Sequence, residues 1–308
     1  MPLLYEQVAK RIANIIDKSS RVPTVFRQWV LLNAKEKPKS ERKVGEDRME
    51  ILVCMKSVPD ERGEICLNPE SGKMDLSRAE KKENEFDAYA LELALRSKEA
   101  YGGRVTVLTV GREEDSICVR NALSLGADEA FLIRDDHAGE KDAAAIAQIL
   151  ADSLPELEKR REKSFDLILT GKESTDYGSG LLSGILAEKC KLPYLSNVIE
   201  IKMEGEELQI KQELDKGYKL YALKKPALLS VSKGEIELRY PNIVKRLASR
   251  RAEIPEMMPK ADTEGGECLE YLSLEEAVKK KEGRKIKEED SKKAVEEAIR
   301  QMIADKAL

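Results

Sequence analysis

The sequence predicts an α/β fold built on a doubly wound, mostly parallel sheet. Three observations carry this prediction. From Met49 onward, short apolar and β-branched runs alternate with segments of helical periodicity. Glycines and polar turns punctuate the boundaries between them. One strand-like run, Phe165-Asp-Leu-Ile-Leu-Thr170, passes straight into the glycine-rich loop Gly171-Lys-Glu-Ser-Thr-Asp176-Tyr-Gly178-Ser179-Gly180, and Leu181-Leu-Ser-Gly-Ile-Leu-Ala-Glu188 then reads as a helix. That order suits a phosphate, because a helix N-terminus presents unpaired N–H groups and a partial positive charge. Glycines let the backbone approach a ligand, and Ser174, Thr175 and Ser179 add side-chain donors. An ordinary strand-to-helix turn uses the same residue types.

Glu50-Ile-Leu-Val-Cys54 opens the fold as a compact apolar strand. Phe86, Tyr89, Ala90, Leu93 and Ala94 recur at helical spacing between Asn84 and Ala100, and the turn Tyr101-Gly-Gly103 ends that helix. Arg104-Val-Thr-Val-Leu-Thr-Val110 is a strand that stops at Gly111. Glu113 to Leu125 reads as a helix closed by Gly126, Glu129-Ala-Phe-Leu-Ile133 as a strand, and Ala143 to Leu154 as a helix. In open α/β sheets the ligand lies beyond the carboxyl ends of the strands, at the topological switch point. The loops expected there are Met55–Asp60, the turn after Val110, and Gly171–Gly180. Lys211-Gln-Glu-Leu-Asp215-Lys-Gly217-Tyr218 reads as a hairpin, on its alternation and glycine turn.

Composition bounds the possibilities. The 308 residues are 41% hydrophobic, enough for a sizeable core, and 36% are charged. A net charge of −4 gives no whole-molecule attraction to nucleic acid or anionic membrane. No run approaches the ~18 apolar residues that span a bilayer. Cys54, Cys66, Cys118, Cys190 and Cys268 are dispersed and lack CxxC spacing, so they read as reduced thiols rather than a disulfide frame or a zinc site. The single histidine, His137, sits among Asp135, Asp136 and Gly139 and reads as an exposed loop residue. Residues 1–48 form a basic extension, eleven Lys/Arg against six Asp/Glu, with Leu4, Val8, Ile12, Ile15 and Ile16 on one helical face. The six acidic residues argue against a mitochondrial presequence and favour a docking appendage or a start codon placed too early. The expected location is cytoplasmic, with the mitochondrial matrix as the alternative. The expected division is 1–48 as this helical extension, 49–250 as the α/β domain, and 251–308 as an arm followed by an amphipathic helix.

Several of the loops carry a family resemblance. Lys56-Ser-Val-Pro-Asp60 resembles the opening motif of the electron-transfer flavoprotein β subunits, including their nitrogen-fixation-associated relatives. Asn84-Glu-Phe-Asp87-Ala-Tyr-Ala-Leu-Glu92 is similar to the family's Asn-x-x-Asp helix start, and Arg120-Asn-Ala-Leu-Ser-Leu-Gly126-Ala-Asp128 to its third block. Gly171 to Glu188 matches the loop-helix signature in position, and Arg239-Tyr-Pro241-Asn-Ile243 resembles the segment closing the last strand region. The motifs follow the family's order from about Met49 to Arg250.

The resemblance implies an electron carrier rather than an enzyme in its own right. It implies a heterodimer with an α subunit, a redox FAD shared with that subunit, and an adenine nucleotide bound by the β subunit. In ordinary members that nucleotide is AMP; in electron-bifurcating members it is a second FAD that exchanges hydride with NADH. Donors would be acyl-CoA or other dehydrogenases, and the acceptor a quinone-reducing or other enzyme. The nucleotide-site residues implied are Lys56, Val58, Asn84, Asp87, Val110, Gly111, Gly171, Asp176, Gly178, Ser179 and Gly180. Asn84 and Asp87 are equally readable as helix caps. Departures from the pattern are Glu173 and Leu181 where the family usually has Gln, and Gly178 where it usually has Asp. Glu173 brings like charge to a phosphate unless Lys172 screens it. Gly178 eases a second phosphate, whereas Asn84-Glu-Phe-Asp87 differs from the Asn-Pro-Asp-Asp form of bifurcating relatives, and the balance favours AMP.

On the family's partner-docking loop an apolar residue enters a pocket of the dehydrogenase. Ile236 or Leu238 stands at that place, and burial against the sheet is the competing reading for both. Ala252 to Gly266 looks like the arm that family β subunits send over the α subunit. Ala294, Ala298, Ile299, Met302 and Ile303 recur at helical spacing near the C-terminus. A bifurcating, NADH-oxidising flavoprotein and a non-redox nucleotide-binding module are the alternative functions.

Overall fold

A computed structural model of the chain describes residues 48–60, 62, 66–68, 72, 74–76, 78–204, 207–260, 283, 285–287 and 290–305. The helix expected across Leu4–Ile16 lies outside them, as do residues 261–266 of the stretch expected to be an arm. In chain order the elements begin with β1 (Met49–Cys54), β2 (Ser57–Pro59), β3 (Cys66–Leu67), β4 (Met74–Asp75), β5 (Lys81–Glu83) and α1 (Glu85–Tyr101). They continue with β6 (Gly103–Gly111), α2 (Ile117–Leu125), β7 (Glu129–Arg134), α3 (Ala143–Arg161), β8 (Leu167–Gly171) and α4 (Leu182–Cys190). The last are β9 (Tyr194–Glu204), β10 (Glu207–Glu213), β11 (Tyr218–Lys224), β12 (Ala227–Val231), α5 (Ile243–Arg251), β13 (Glu256–Met257) and α6 (Ser291–Ala304).

Contacts divide the chain into two compact units, Met1–Asp60 with Lys81–Cys268 and Glu61–Glu80 with Leu269–Leu308. The first holds a nine-stranded sheet in the order β11-β10-β9-β12-β8-β1-β6-β7-β13. Pairing from β9 to β13 is parallel, and β10 and β11 extend one edge by antiparallel pairing. Strands covered on both faces are apolar almost throughout, and every residue of β1, β8 and β12 is buried. Alternate residues then feed the two faces. Ile51, Val53, Val105, Val107, Leu167 and Leu169 share one core with Leu91 of α1 and Val119 of α2. Leu52, Leu108 and Ile168 meet Leu150 and Leu154 of α3 and Leu186 of α4 on the other. At ~25 cal/mol per Å² of apolar surface, these two covered faces are the main stabilising term.

Three stretches differ in detail from the sequence expectation. Glu113–Ser116 is a 3-10 turn and α2 starts only at Ile117, because Asp115 turns back to accept the Arg112 N–H at 2.9 Å. The helix from Ala143 runs through Pro155 to Arg161, since Leu157 is fully buried and Arg161 is held by acidic partners. Past residue 250 the chain returns to the sheet, where Glu256–Met257 pairs with β7 and Met257 is 1% exposed. The hairpin expected at 211–218 forms, with the Leu214 N–H donating to the Gly217 carbonyl at 3.1 Å.

The second unit contains the β3–β4 pair, in register Cys66↔Asp75 and Leu67↔Met74. It also contains α6, where Asp290 caps by accepting the Lys292 N–H at 2.9 Å. Val295, Ile299, Met302 and Ile303 on that helix are exposed.

Candidate functional site

The chain leaves β1 for β6 and β7, then returns to β8 on the other side of β1. The carboxyl ends of β1 and β8 therefore diverge at the switch point, and the N-terminus of α1 sits between them. Asp87, in the first turn of α1, joins the three. Its Oδ2 accepts the Lys56 N–H at 2.7 Å and its Oδ1 accepts the Gly171 N–H at 2.9 Å. Burial pushes this carboxyl up to about 6, against the opposing pull of the bonds from Lys56, Asn84 and Gly171.

Asn84 is 1% exposed and does not cap α1 with its side chain. Its amide is spent on the glycine loop instead. Nδ2 donates to the Glu173 carbonyl at 2.9 Å and Oδ1 accepts the Thr175 N–H at 3.1 Å. Its own N–H donates to the Lys56 carbonyl at 3.0 Å. The capping reading of Asn84 is thus corrected. A residue that looks local in sequence holds a loop some ninety positions away.

Gly171 is required by contact rather than by backbone conformation. A Cβ there would lie 2.5 Å from Asp87 Oδ1 and 2.7 Å from Phe86 Cβ. Gly178 and Gly180 have φ of +62° and +63°, the left-handed region that favours glycine. Across the mouth of this loop Lys56 Nζ meets Asp176 Oδ2 at 2.6 Å and lies 4.6 Å from the Tyr177 ring centre. Lys172 Nζ stands 3.4 Å from Glu173 Oε1, so the like charge that Glu173 adds is partly screened. Behind the loop the Thr170 and Ser183 hydroxyls pair at 2.7 Å in a buried position.

Lys56, Asn84, Asp87, Gly171 and Asp176 are thereby brought together, with Gly178, Ser179 and Gly180 exposed on the same loop. Val58 has a fully buried side chain, so only its backbone is available at this edge. Val110 and Gly111 end β6, one strand along. Ile236 packs against the core, while Leu238 is 36% exposed. The anchoring role of the residue that fixes this last segment escaped the sequence reading. Arg239 Nε donates to Glu92 Oε2 at 2.8 Å and Nη1 to Glu99 Oε1 at 2.7 Å. Burial alone would raise Glu92, but the bonds from Arg239 and Arg96 outweigh it and hold the carboxyl low. The Arg-Tyr-Pro motif gave the position of Arg239; nothing local gave its partners.

Among the described residues no group of His, Cys, Asp and Glu could hold a metal ion, and no helix is long and apolar enough to cross a membrane. Cys54, Cys118 and Cys190 are free, and burial pushes the Cys118 thiol up to about 12.

The fold and this edge define an open, doubly wound α/β protein whose loops converge at the switch point. A family model described as "Electron transfer flavoprotein domain" matches residues 73–262. The electron transfer flavoprotein subunit beta of Megasphaera elsdenii is 32% identical over 211 residues, which cover 68% of this chain and 78% of that protein. The subunit beta of Bacillus subtilis is 30% identical over 210 residues, 68% and 79% of the two chains. The caffeyl-CoA reductase-Etf complex subunit CarD of Acetobacterium woodii is 33% identical over 196 residues, 63% and 72% of the two. The chain belongs to the electron transfer flavoprotein family, among its β subunits.

Proposed function

We propose that the chain acts as the β subunit of a heterodimeric electron carrier, sharing a redox FAD with an α subunit and holding AMP at the Gly171 loop. The observation that supports this reading best is the Asp87–Asn84 clamp. It fixes a glycine-rich loop at the switch point with its backbone facing solvent. The site fits a phosphate. Gly178 has open space where a Cβ would stand, and Lys56 is a partly exposed cation that can exchange Asp176 for a phosphate oxygen. Ser179 and Gly180 would offer N–H donors, and Gly178, whose own N–H is spent on the Ser174 carbonyl at 2.7 Å, would let a phosphate come close. Asn84 and Asp87 would hold the loop in shape, and Val110 and Gly111 would border the nucleotide. The flavin, when bound, supplies reversible electron uptake. This chain's own residues bind, orient and shield.

Donor dehydrogenases and a downstream acceptor follow from the same reading, with Leu238 the more accessible docking residue and a cytoplasmic setting. The open space at Gly178, which eases a second phosphate, keeps a bifurcating flavoprotein with a second FAD as the second reading. Co-expression with the α subunit and acid extraction of the purified complex test both. One FAD and one AMP per heterodimer is the expected result. Two FAD with NADH-dependent bleaching would replace it with the bifurcating reading. Gly180→Asp should lower AMP retention by at least ~1–2 kcal/mol, through like charge and steric intrusion.

A further inference from the structure

A cavity of about 790 Å³ opens at the carboxyl ends of β6 and β7, against α2 and α5. Five arginines line it: Arg112, Arg120, Arg134, Arg246 and Arg250. It is separate from the Gly171 loop, because β1 stands between β8 and the β6–β7 pair. Two to three strand spacings of ~4.8 Å put roughly 10–14 Å between them.

Three carboxylates share the lining, and their charge is mostly spoken for. Glu114 Oε1 is 2.7 Å from Lys81 Nζ, and Asp136 Oδ1 is 3.0 Å from Arg134 Nε. Glu113 lies 3.8 Å from Arg134 Nη1, with its side chain 80% exposed. Arg120 is structural: its Nη1 donates to the Ser249 and Ala252 carbonyls at 3.3 and 2.6 Å and fastens the end of α5 to the cavity wall. Arg112 differs, for its Nε reaches only the Asp136 carbonyl, at 2.9 Å.

Arg246 and Arg250 have no side-chain partner among the described residues. They stand four apart on α5, where like charges repel. Among the described residues none of the Arg112, Arg246 and Arg250 guanidiniums has a carboxylate at ion-pair distance, and Glu114, whose carboxyl Lys81 chiefly holds low with help from the Arg112 charge, is itself held 2.7 Å from Lys81 Nζ. Ser116 and Ile117 bring the N-terminal turn of α2 into the same lining, adding its partial positive charge. The volume falls within the range of small-molecule sites.

We propose that this cavity is a second anion site, taking a phosphorylated small molecule of nucleotide size whose di- or triphosphate is gripped by Arg112, Arg246 and Arg250. Planar guanidiniums meet phosphate oxygens in pairs, and their weak hydration favours that exchange over staying solvated. A concave site of this size suits a compact polyanion better than an extended acidic chain. The proposal stands apart from the function proposed for the Gly171 loop.

The test is calorimetric titration of inorganic pyrophosphate into the full chain, repeated with ADP and with a Glu-rich decapeptide. Pyrophosphate and ADP are expected to bind. Arg246→Gln/Arg250→Gln, and separately Arg112→Gln, should each weaken pyrophosphate roughly tenfold or more, as lost charge-assisted bonds do. Gly180→Asp should weaken only binding at the Gly171 loop and leave the arginine-dependent pyrophosphate isotherm in place. Circular dichroism of each unliganded variant checks that the fold is retained. The proposal is overturned if pyrophosphate does not bind, or if the arginine variants bind it as tightly as the parent chain. It is equally overturned if Gly180→Asp alone abolishes binding, if sulfate at equal ionic strength matches pyrophosphate, or if the decapeptide binds and pyrophosphate does not.

Discussion

At the amino edge of the sheet Arg161, its side chain 4% exposed, donates to Glu50 Oε2 at 2.6 Å and to Glu129 Oε2 at 2.8 Å. Lys163 adds a bond to Glu50 Oε1 at 2.9 Å, and the Arg161 guanidinium lies 4.5 Å from the Phe165 ring centre. At the carboxyl edge the Lys56–Asp176 pair is just as short, 2.6 Å, yet its side chains are 43% and 19% exposed. Distance does not separate the two edges; solvent does. A buried pair cannot be opened without stranding charge, whereas an exposed pair exchanges partners at little cost. The first edge locks the sheet and the second stays open to a ligand.

Acid acts on the two edges with opposite sign. Burial alone would raise Glu50, but the bonds from Lys163 and Arg161 prevail and hold its carboxyl below the usual 4.5. Its contribution to stability is therefore present above about pH 4.5 and lost as pH falls through the lowered value. Asp87 runs the other way, raised by burial from 3.8 to about 6. Its contribution is fully present below about pH 4 and declines as pH rises towards 6.

The largest effect should come from Arg161→Ala, which leaves Glu50 and Glu129 without their shared cation. A loss of about 3–5 kcal/mol in urea unfolding is expected. A loss under ~1 kcal/mol would mean that the amino edge is no lock. Next, Asp87→Ala strands the Lys56 and Gly171 N–H groups and should cost about 1–3 kcal/mol. The gap between variant and parent should widen from pH 6 to pH 4, and a gap that stays flat would remove Asp87 from the pH argument. The smallest stability effect belongs to Lys56→Gln, under ~1 kcal/mol. There AMP retention in the purified heterodimer should fall while the unfolding midpoint barely moves; unchanged AMP content would show that the exposed pair has no part in binding.

Much of the sheet was legible because a parallel strand buried on both faces leaves an unbroken apolar run, as at Ile51–Val53 and Leu167–Leu169. β9 was harder to see, because its eleven residues include Ser196, Asn197, Glu200 and Lys202 among the apolar ones. At the site, Gly171 and the loop after it stood out by composition. The roles of Asn84 and Asp87 did not, since Asn and Asp at a helix start read first as caps. Their true partners, Glu173, Thr175 and Gly171, are 84 to 91 positions distant. The arginine cavity was invisible for the same reason: its wall is assembled from residues as far apart as Arg112 and Arg250.

Arg239 is anchored on Glu92 and Glu99, two turns apart on α1, so its neighbours Leu238 and the 94% exposed Tyr240 hang from a fixed point. A free loop would sample many backbone conformations, and freezing each residue on association costs about 1–2 kcal/mol. Here the clamp has removed much of that freedom when the chain folds. A partner that covered the surface around Tyr240 would meet it already shaped, with little chain disorder left to lose on contact.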